Sequence, residues 1–402
     1  MKKRIVFVSY SYWPPDFGGE LLITIERLEY LMRRGYTVQV LTSGKPGMPV
    51  QQTWAESGHI WRSPIIHASR MGRLMRRIVF WFWALACLMS LDFDVLHVGS
   101  LAGLDSFSDA LMARLMGWIA RYKGARGVWV HSLADSDQAA LDLRGWRGLA
   151  KRLFYESFDT LVSVSPFLHQ SVCNIWPQKA VCLPCGVRDD LFVPVSPEAR
   201  TEFRKTMGVS TEDVVFIFLG SVGIRKGFDL LAQAFNSIST VYPDWKLWVI
   251  GPRSQAENAN LVNDQVVALT QNMEQNPCVN FLGRIDDRQQ LAMLMSAGDV
   301  FVFPSRREGM GIAPIEAMSA GLPVIIARLP GITDLANIEG ETGFYISPGN
   351  VLELQLAMTR LGESAALRQQ MGFAARQRVL TSFGWKQHLE HWQQVYAGEY
   401  VE

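Results

Sequence analysis

The chain holds 402 residues, 49% hydrophobic and 19% charged, which excludes a disordered chain and leaves room for two domains with separate cores. A formal net charge of +1 argues against bulk nucleic-acid binding. The charge is uneven, however: residues 1–195 hold 22 Lys plus Arg against 16 Asp plus Glu, so an anionic partner is expected only at the first half.

The five cysteines form an odd, sparse set, as in a reducing cytoplasm. Cys182-Leu-Pro-Cys185 straddles an expected strand end and has no second pair, so neither a redox nor a zinc role is expected. The run Ile5–Val8 is too short for a secretory signal and reads as a first core strand. No run reaches the roughly 20 apolar residues that cross a bilayer. The expectation is a cytoplasmic protein.

In chain order, Ile5–Val8, a helix from Glu20 to Arg34 and the strand Tyr36–Leu41 make a βαβ unit. Gly18 and Gly19 precede that helix, either as a plain turn or where a phosphate reaches the backbone. Residues 71–90 follow, with Arg70, Arg73, Arg76 and Arg77 ahead of the run Ile78–Met89. That run is either a helix buried beside the sheet or one whose basic, aromatic edge lies on an anionic membrane leaflet. Strands at 94–98 and 127–131 flank a helix at 105–122. His131 ends its strand, where open parallel sheets bind ligands, whereas His97 lies within one. Asp135-Ser-Asp137 reads as a surface turn or cap. A helix at 151–158, strands at 160–164 and 181–184 and a short helix at 166–174 complete the half.

Residues 194–200, PVSPEAR, suit a linker. The strand–loop–helix plan then restarts. Strands are expected at 214–219, 246–250, 279–282 and 300–303, with a helix at 228–238. Gly220-Ser-Val-Gly-Ile-Arg-Lys-Gly227 joins the first of these strands to that helix. It is neither a dinucleotide fingerprint nor a P-loop, because Lys226 is followed by Gly. Arg225 and Lys226 are either a solvated basic turn or the neutralising charges for a diphosphate.

The richest stretch is Phe303–Ala327. Gly309 and Gly311 give a loop that a ligand can approach closely. Pro314 suits the first position of a helix, which puts Glu316 in the first turn. A loop feeding a helix N-terminus suits an anion, and glutamates beside it suit hydroxyls. A nucleotide sugar offers both. Glu308 and Glu316 also read singly as a loop charge and a solvated first-turn Glu.

Together, E-G-x-G-x-x-P-x-E over 308–316 and A-G-x-P-V over 320–324 resemble the donor site of retaining GT-B glycosyltransferases of family 4. Other segments resemble the same family in order: Gly18-Gly19, the strand ending at His131, Pro184-Cys-Gly-Val187, the Lys226-Gly227 loop, Phe281-Leu-Gly-Arg-Ile285 and the closing helix. The sequence departs from the family pattern at Ser221, where an Arg is usual, and at Cys185 and Arg188, where Asn and Asp are usual. Arg225 is placed to supply the missing Arg from the adjacent position.

The resemblance implies an α/β fold of two Rossmann-like domains facing across a cleft. Residues 1–194 would form the acceptor side, 195–384 the donor domain and 385–402 a helix crossing back. It implies retaining transfer of a hexose from a nucleoside-diphosphate sugar to a glycan or lipid-linked acceptor. Cell-surface polysaccharide or glycolipid synthesis is the expected setting, with no cofactor, no essential metal and no nucleic acid. His131, Lys226 and Glu308 would be catalytic. Gly18, Gly19, Ser221, Arg225, Lys226, Arg284, Glu308, Gly309, Gly311, Ile312, Ala313 and Glu316 would bind the donor. Peripheral contact with an anionic membrane would run through Arg70–Met89. The rivals are a GT-B phosphorylase or epimerase, and a catalytically weak scaffold of the same fold.

Overall fold

The computed structural model describes residues 3–10, 19–55, 57–65, 70–99, 107–131, 145–252 and 264–400. Gly18 and Asp135-Ser-Asp137 lie outside these.

The chain divides into two units. The first is Met1–Cys185 with Leu389–Glu402. Its strands are β1 (Arg4–Val8), β2 (Thr37–Thr42), β3 (Gln51–Trp54), β4 (Gly58–Arg62), β5 (Val95–Val98), β6 (Arg126–His131), β7 (Thr160–Ser163) and β8 (Ala180–Cys182). They form one sheet in the order β3-β4-β2-β1-β5-β6-β7-β8. All neighbours are parallel except β3 and β4. Central strands such as β1, from Ile5 on, and β5 are buried throughout because both faces of a parallel sheet are covered, and His97 is the one polar residue among them. The helices are α1 (Gly19–Arg33), α2 (Arg70–Ser90), α3 (Phe107–Tyr122), α4 (Gly145–Glu156) and α5 (Pro166–Cys173). Phe80 and Trp81 of α2, Met112 and Met116 of α3, and Phe154 and Tyr155 of α4 share one core. Residues 78–89 therefore do bury one side beside the sheet.

The second unit is Gly186–His388. Its strands are β9 (Val214–Leu219), β10 (Trp245–Ile250), β11 (Val279–Gly283), β12 (Val300–Phe303), β13 (Val324–Ala327) and β14 (Gly343–Ile346). Their order is β11-β10-β9-β12-β13-β14, and every pairing is parallel. The helices are α6 (Pro197–Thr206), α7 (Phe228–Ser239), α8 (Asp264–Gln275), α9 (Arg288–Ala297), α10 (Ile312–Ser319), α11 (Val351–Glu363), α12 (Ala365–Ser382) and α13 (Trp385–Ala397). Strand order reverses between β9 and β12, so the loops leaving these neighbours emerge side by side. In open α/β sheets that reversal is where ligands bind.

Three local expectations are revised. Residues 194–200 are not an open linker: Ser196 Oγ accepts from Ala199 N–H at 3.2 Å and Pro197 takes the first position of α6. The second unit begins ahead of 194, because Val187 N–H donates to Phe383 O (2.9 Å) and Phe192 O accepts from Ser319 Oγ (2.8 Å) and an Arg376 guanidinium N–H (3.1 Å). Helix α10 starts at Ile312 and not Pro314, so Glu316 is its fifth residue, past the first turn.

Helix α13 is shared, with Trp385–His388 in the second unit and Leu389 onward in the first. In the first unit its Trp392 stacks on His97 (centroids 5.4 Å), and Tyr396 Oη lies 2.8 Å from His97 Nδ1. His97 is thus a core residue.

Candidate donor site

The site is built from the β9–α7 loop and the β12–α10 loop of the second unit. The first loop contains a short 3₁₀ turn, Ile224–Lys226. Gly227 closes it at φ +72°, and a Cβ there would stand 2.0 Å from Pro304 O. Only glycine allows both that backbone and so close an approach of the two loops.

Polar contacts then clamp the loops together. Arg306 N–H donates to Arg225 O (2.8 Å). The Arg306 guanidinium donates to both Asp229 oxygens, at 2.6 and 2.7 Å, and to Ile224 O at 2.6 Å. Asp229 opens α7, so one bidentate pair ties the donor loop to the neighbouring helix.

At the centre, Lys226 Nζ donates to Glu308 Oε1 at 2.6 Å. Ser305 Oγ donates to the same oxygen at 2.5 Å. An Arg225 guanidinium nitrogen stands 4.0 Å away and donates to Arg307 O at 3.4 Å. Glu308 is only 6% exposed. A carboxylate so far from water needs these donors around it. Lys226 also lies over the Phe303 ring, 5.2 Å from its centroid. Gly309 is buried beside this pair. Gly311, at φ +82°, is the N-cap of α10, and Ile312 and Ala313 are its half-buried first residues. First-turn amides have no acceptor inside their own helix and face an anion well.

Glu316 has a different partner. It is 4% exposed, and its Oε1 accepts from an Arg288 guanidinium N–H at 2.7 Å. Arg288 in turn sits 4.8 Å from the Phe192 ring centroid. A solvated helix glutamate is therefore excluded.

The remaining expected residues are less concentrated. Ser221 is half-buried in the β9–α7 loop. Arg284 is an exposed residue after β11, its Nε donating to Asp286 at 2.7 Å. In the first unit, Gly19 opens α1 and His131 ends β6, its backbone in register with Ser163.

Ser305, Arg306, Asp229 and Arg288 belong to this network and were not expected from the sequence. Two arginines before Glu308 were a visible signal of anchoring. Arg288 sits in a polar run, DDRQQ, that reads as plain surface.

Two largely parallel sheets of this order, one of them with a basic pair and a helix head at its reversal, are the architecture of the GT-B fold. Two family profiles match: "Glycosyltransferase Family 4" over residues 22–191 and "Glycosyl transferases group 1" over 199–378. The chain belongs to this glycosyltransferase family. One relative is a GDP-mannose-dependent monoacylated alpha-(1-6)-phosphatidylinositol monomannoside mannosyltransferase of Corynebacterium glutamicum, 29% identical over 51% of this chain and 52% of its own. The chain thus spans about half of that relative's length. Among solved structures, sucrose-phosphate synthase from Thermosynechococcus elongatus superposes with TM-score 0.78 at 22% identity, covering 99% of both chains. Anabaena HepE in complex with UDP-glucose superposes with TM-score 0.73 at 18% identity, covering 98% of this chain and 100% of its own. These likenesses are of fold.

Proposed function

We propose that this chain transfers a hexose from a nucleoside-diphosphate sugar to a glycan or lipid-linked acceptor, with retention and without an essential metal. The observation that carries the reading is the Lys226–Glu308 pair, held between two clamped loops beside the head of α10. Lys226, with Arg225 and the Ile312 and Ala313 amides, stabilises the departing diphosphate. Placing positive charge where negative charge develops is usually the largest catalytic contribution. Glu308 accepts from hexose hydroxyls, and Glu316, steadied by Arg288, from the ribose. Ser221, Arg284, Gly309 and Gly311 line the donor.

A GDP-mannose-dependent relative and a UDP-glucose complex of the same fold support a nucleotide-sugar donor. The phosphatidylinositol monomannoside in that relative's name supports a lipid-linked acceptor, in glycolipid or surface-polysaccharide synthesis. None of the described helices is long and apolar enough to cross a membrane. Contact with a membrane would be peripheral, through the segment Arg70–Met89.

The test is a panel of nucleotide sugars, read by thermal shift and by hydrolysis without acceptor. One donor stabilising the wild type and not Glu308→Gln is the expected result. A panel in which no nucleotide sugar binds overturns the reading.

A further inference from the structure

The two loops of the donor site carry more positive charge than they neutralise between them. Over residues 220–229 and 303–311, the four cations Arg225, Lys226, Arg306 and Arg307 stand against two carboxylates, Asp229 and Glu308. Both carboxylates are taken. Glu308 holds Lys226 at 2.6 Å, and Asp229 holds Arg306 at 2.6 and 2.7 Å. Arg225 and Arg307 are left over.

These two residues touch. An Arg225 guanidinium N–H donates to Arg307 O at 3.4 Å, and Ser305 Oγ lies 3.3 Å from the same carbonyl. The Arg307 backbone is thereby fixed against the β9–α7 loop. Its flanking side chains, Arg306 and Glu308, are ion-paired across the two loops. Arg307 itself is exposed, and among the described residues its guanidinium has no acidic partner and no hydrogen-bond acceptor. Uncompensated cations at the ligand edge of a parallel sheet raise the local concentration of anions.

The diphosphate of a nucleotide sugar accounts for Arg225, together with Lys226 and the head of α10. Arg307 remains for a second anionic group. Its place in the chain says which part of the ligand carries that group. Arg307 adjoins Glu308, and consecutive Cα atoms lie about 3.8 Å apart. A hexose hydrogen-bonded to Glu308 therefore brings its other substituents within reach of the Arg307 side chain. A guanidinium is a planar fork that matches a carboxylate with two parallel hydrogen bonds.

We propose that the transferred sugar is a hexuronate, a hexose with a carboxylate at C6, and that Arg307 reads that carboxylate. The inference rests on the donor reading above and narrows its sugar. The carboxylate stays outside the bond changes at C1, so Arg307 sets specificity and does no chemistry.

The experiment is titration calorimetry with UDP, UDP-glucose, UDP-glucuronate, GDP, GDP-mannose and GDP-mannuronate. It compares the wild type, Arg307→Gln and Arg307→Lys. Wild type should bind one hexuronate donor about tenfold or more tightly than the neutral sugar on the same base, the scale of a charge-assisted pair. Arg307→Gln should lose about tenfold on that donor and stay within about twofold of wild type on the free diphosphate and the neutral sugar. Arg307→Lys keeps the charge without the fork and should fall between the two. Arg307 is exposed, so both variants should melt with the wild type. A wild type that binds a neutral donor as tightly as its hexuronate overturns the proposal and leaves the donor reading standing. So does Arg307→Gln with unchanged affinity for the hexuronate. An equal loss on the free diphosphate also overturns it and makes Arg307 a diphosphate ligand. Binding of none of the six compounds sinks the donor reading as well.

Discussion

Lys226 Nζ stands 2.6 Å from Glu308 Oε1, and the two side chains are only 16% and 6% exposed. One cation thus holds a buried carboxylate while sitting where a diphosphate would need charge. Lys226→Ala should lower turnover on the order of 10²-fold by removing the charge from the leaving group. It should also destabilise the unit by about 1–3 kcal/mol, since the buried carboxylate keeps only Ser305 Oγ and an Arg225 nitrogen 4.0 Å away. The double variant Lys226→Met/Glu308→Gln should regain part of that stability and none of the turnover. Melting curves and donor hydrolysis check both halves. Near-normal turnover in folded Lys226→Ala would remove Lys226 from the leaving-group role.

Glu316 accepts from Arg288 at 2.7 Å, so its carboxylate is oriented before any ligand arrives. Glu316→Gln should weaken binding of a free nucleoside diphosphate roughly tenfold, the scale of one charge-assisted hydrogen bond. Arg288→Met should weaken it similarly. Glu308→Gln should spare it and act on the intact sugar nucleotide. Titration calorimetry separates the three. Parent-like affinity in both Glu316→Gln and Arg288→Met would refute the ribose assignment.

Much of this was legible in the sequence because parallel strands are continuous apolar runs and their loops carry glycine. The β12–α10 stretch announced itself by Glu308, Gly309, Gly311 and Glu316 together. What was not legible has physical reasons. The β3–β4 hairpin lies at a sheet edge, where Gln51, Gln52 and Thr53 face water and leave no apolar run. Ser196 and Pro197 read equally as linker or helix cap, and only the Ala199 N–H contact decides. Arg288 gains its meaning from Glu316, which is distant in sequence and adjacent in space. Arg306 and Arg307 look alike until one is seen ion-paired and the other exposed.

Charge for the diphosphate comes in this reading from Lys226, Arg225 and the head of α10, so a divalent cation is not required. Donor hydrolysis and transfer should survive excess chelator within about twofold, the ordinary scatter of such rates. Complete loss, restored by manganese or magnesium, would return Asp135-Ser-Asp137 to consideration as a metal-binding turn and sink the metal-independent mechanism.

Gly227→Ala tests the loop clamp without touching a charge. Its Cβ would fall 2.0 Å from Pro304 O at a φ of +72°. The loops must separate, at a cost of about 1–3 kcal/mol. Donor affinity should fall with Lys226 and Glu308 both intact, and thermal stability with it. Gly340→Ala is the control, since Gly340 has φ +73° with nothing within 4 Å of its added Cβ. Equal effects of the two on donor affinity would mean that backbone strain, and not loop contact, was being read.

The last expectation concerns His97, which lies within 5.0 Å of Phe7 and 5.4 Å of Trp392, centroid to centroid. Burial, with Arg27 nearby adding to it, holds its imidazole well below the usual histidine range. The ring is therefore neutral in the folded first unit, while the unfolded chain takes up a proton near pH 6.5. Below that pH the unfolded state binds more protons, so stability is fully present above about 6.5 and is lost as pH falls toward the folded value. The loss approaches about 1.4 kcal/mol per pH unit for this one group. His97→Gln cannot titrate and keeps a polar atom for Tyr396. It should start less stable at pH 7.5 and show a flatter decline of melting temperature between pH 7 and 5. Hydrogen exchange of β5 amides, followed over the same range, localises the effect to the first unit. Parallel declines in wild type and His97→Gln would show that another group sets the acid sensitivity.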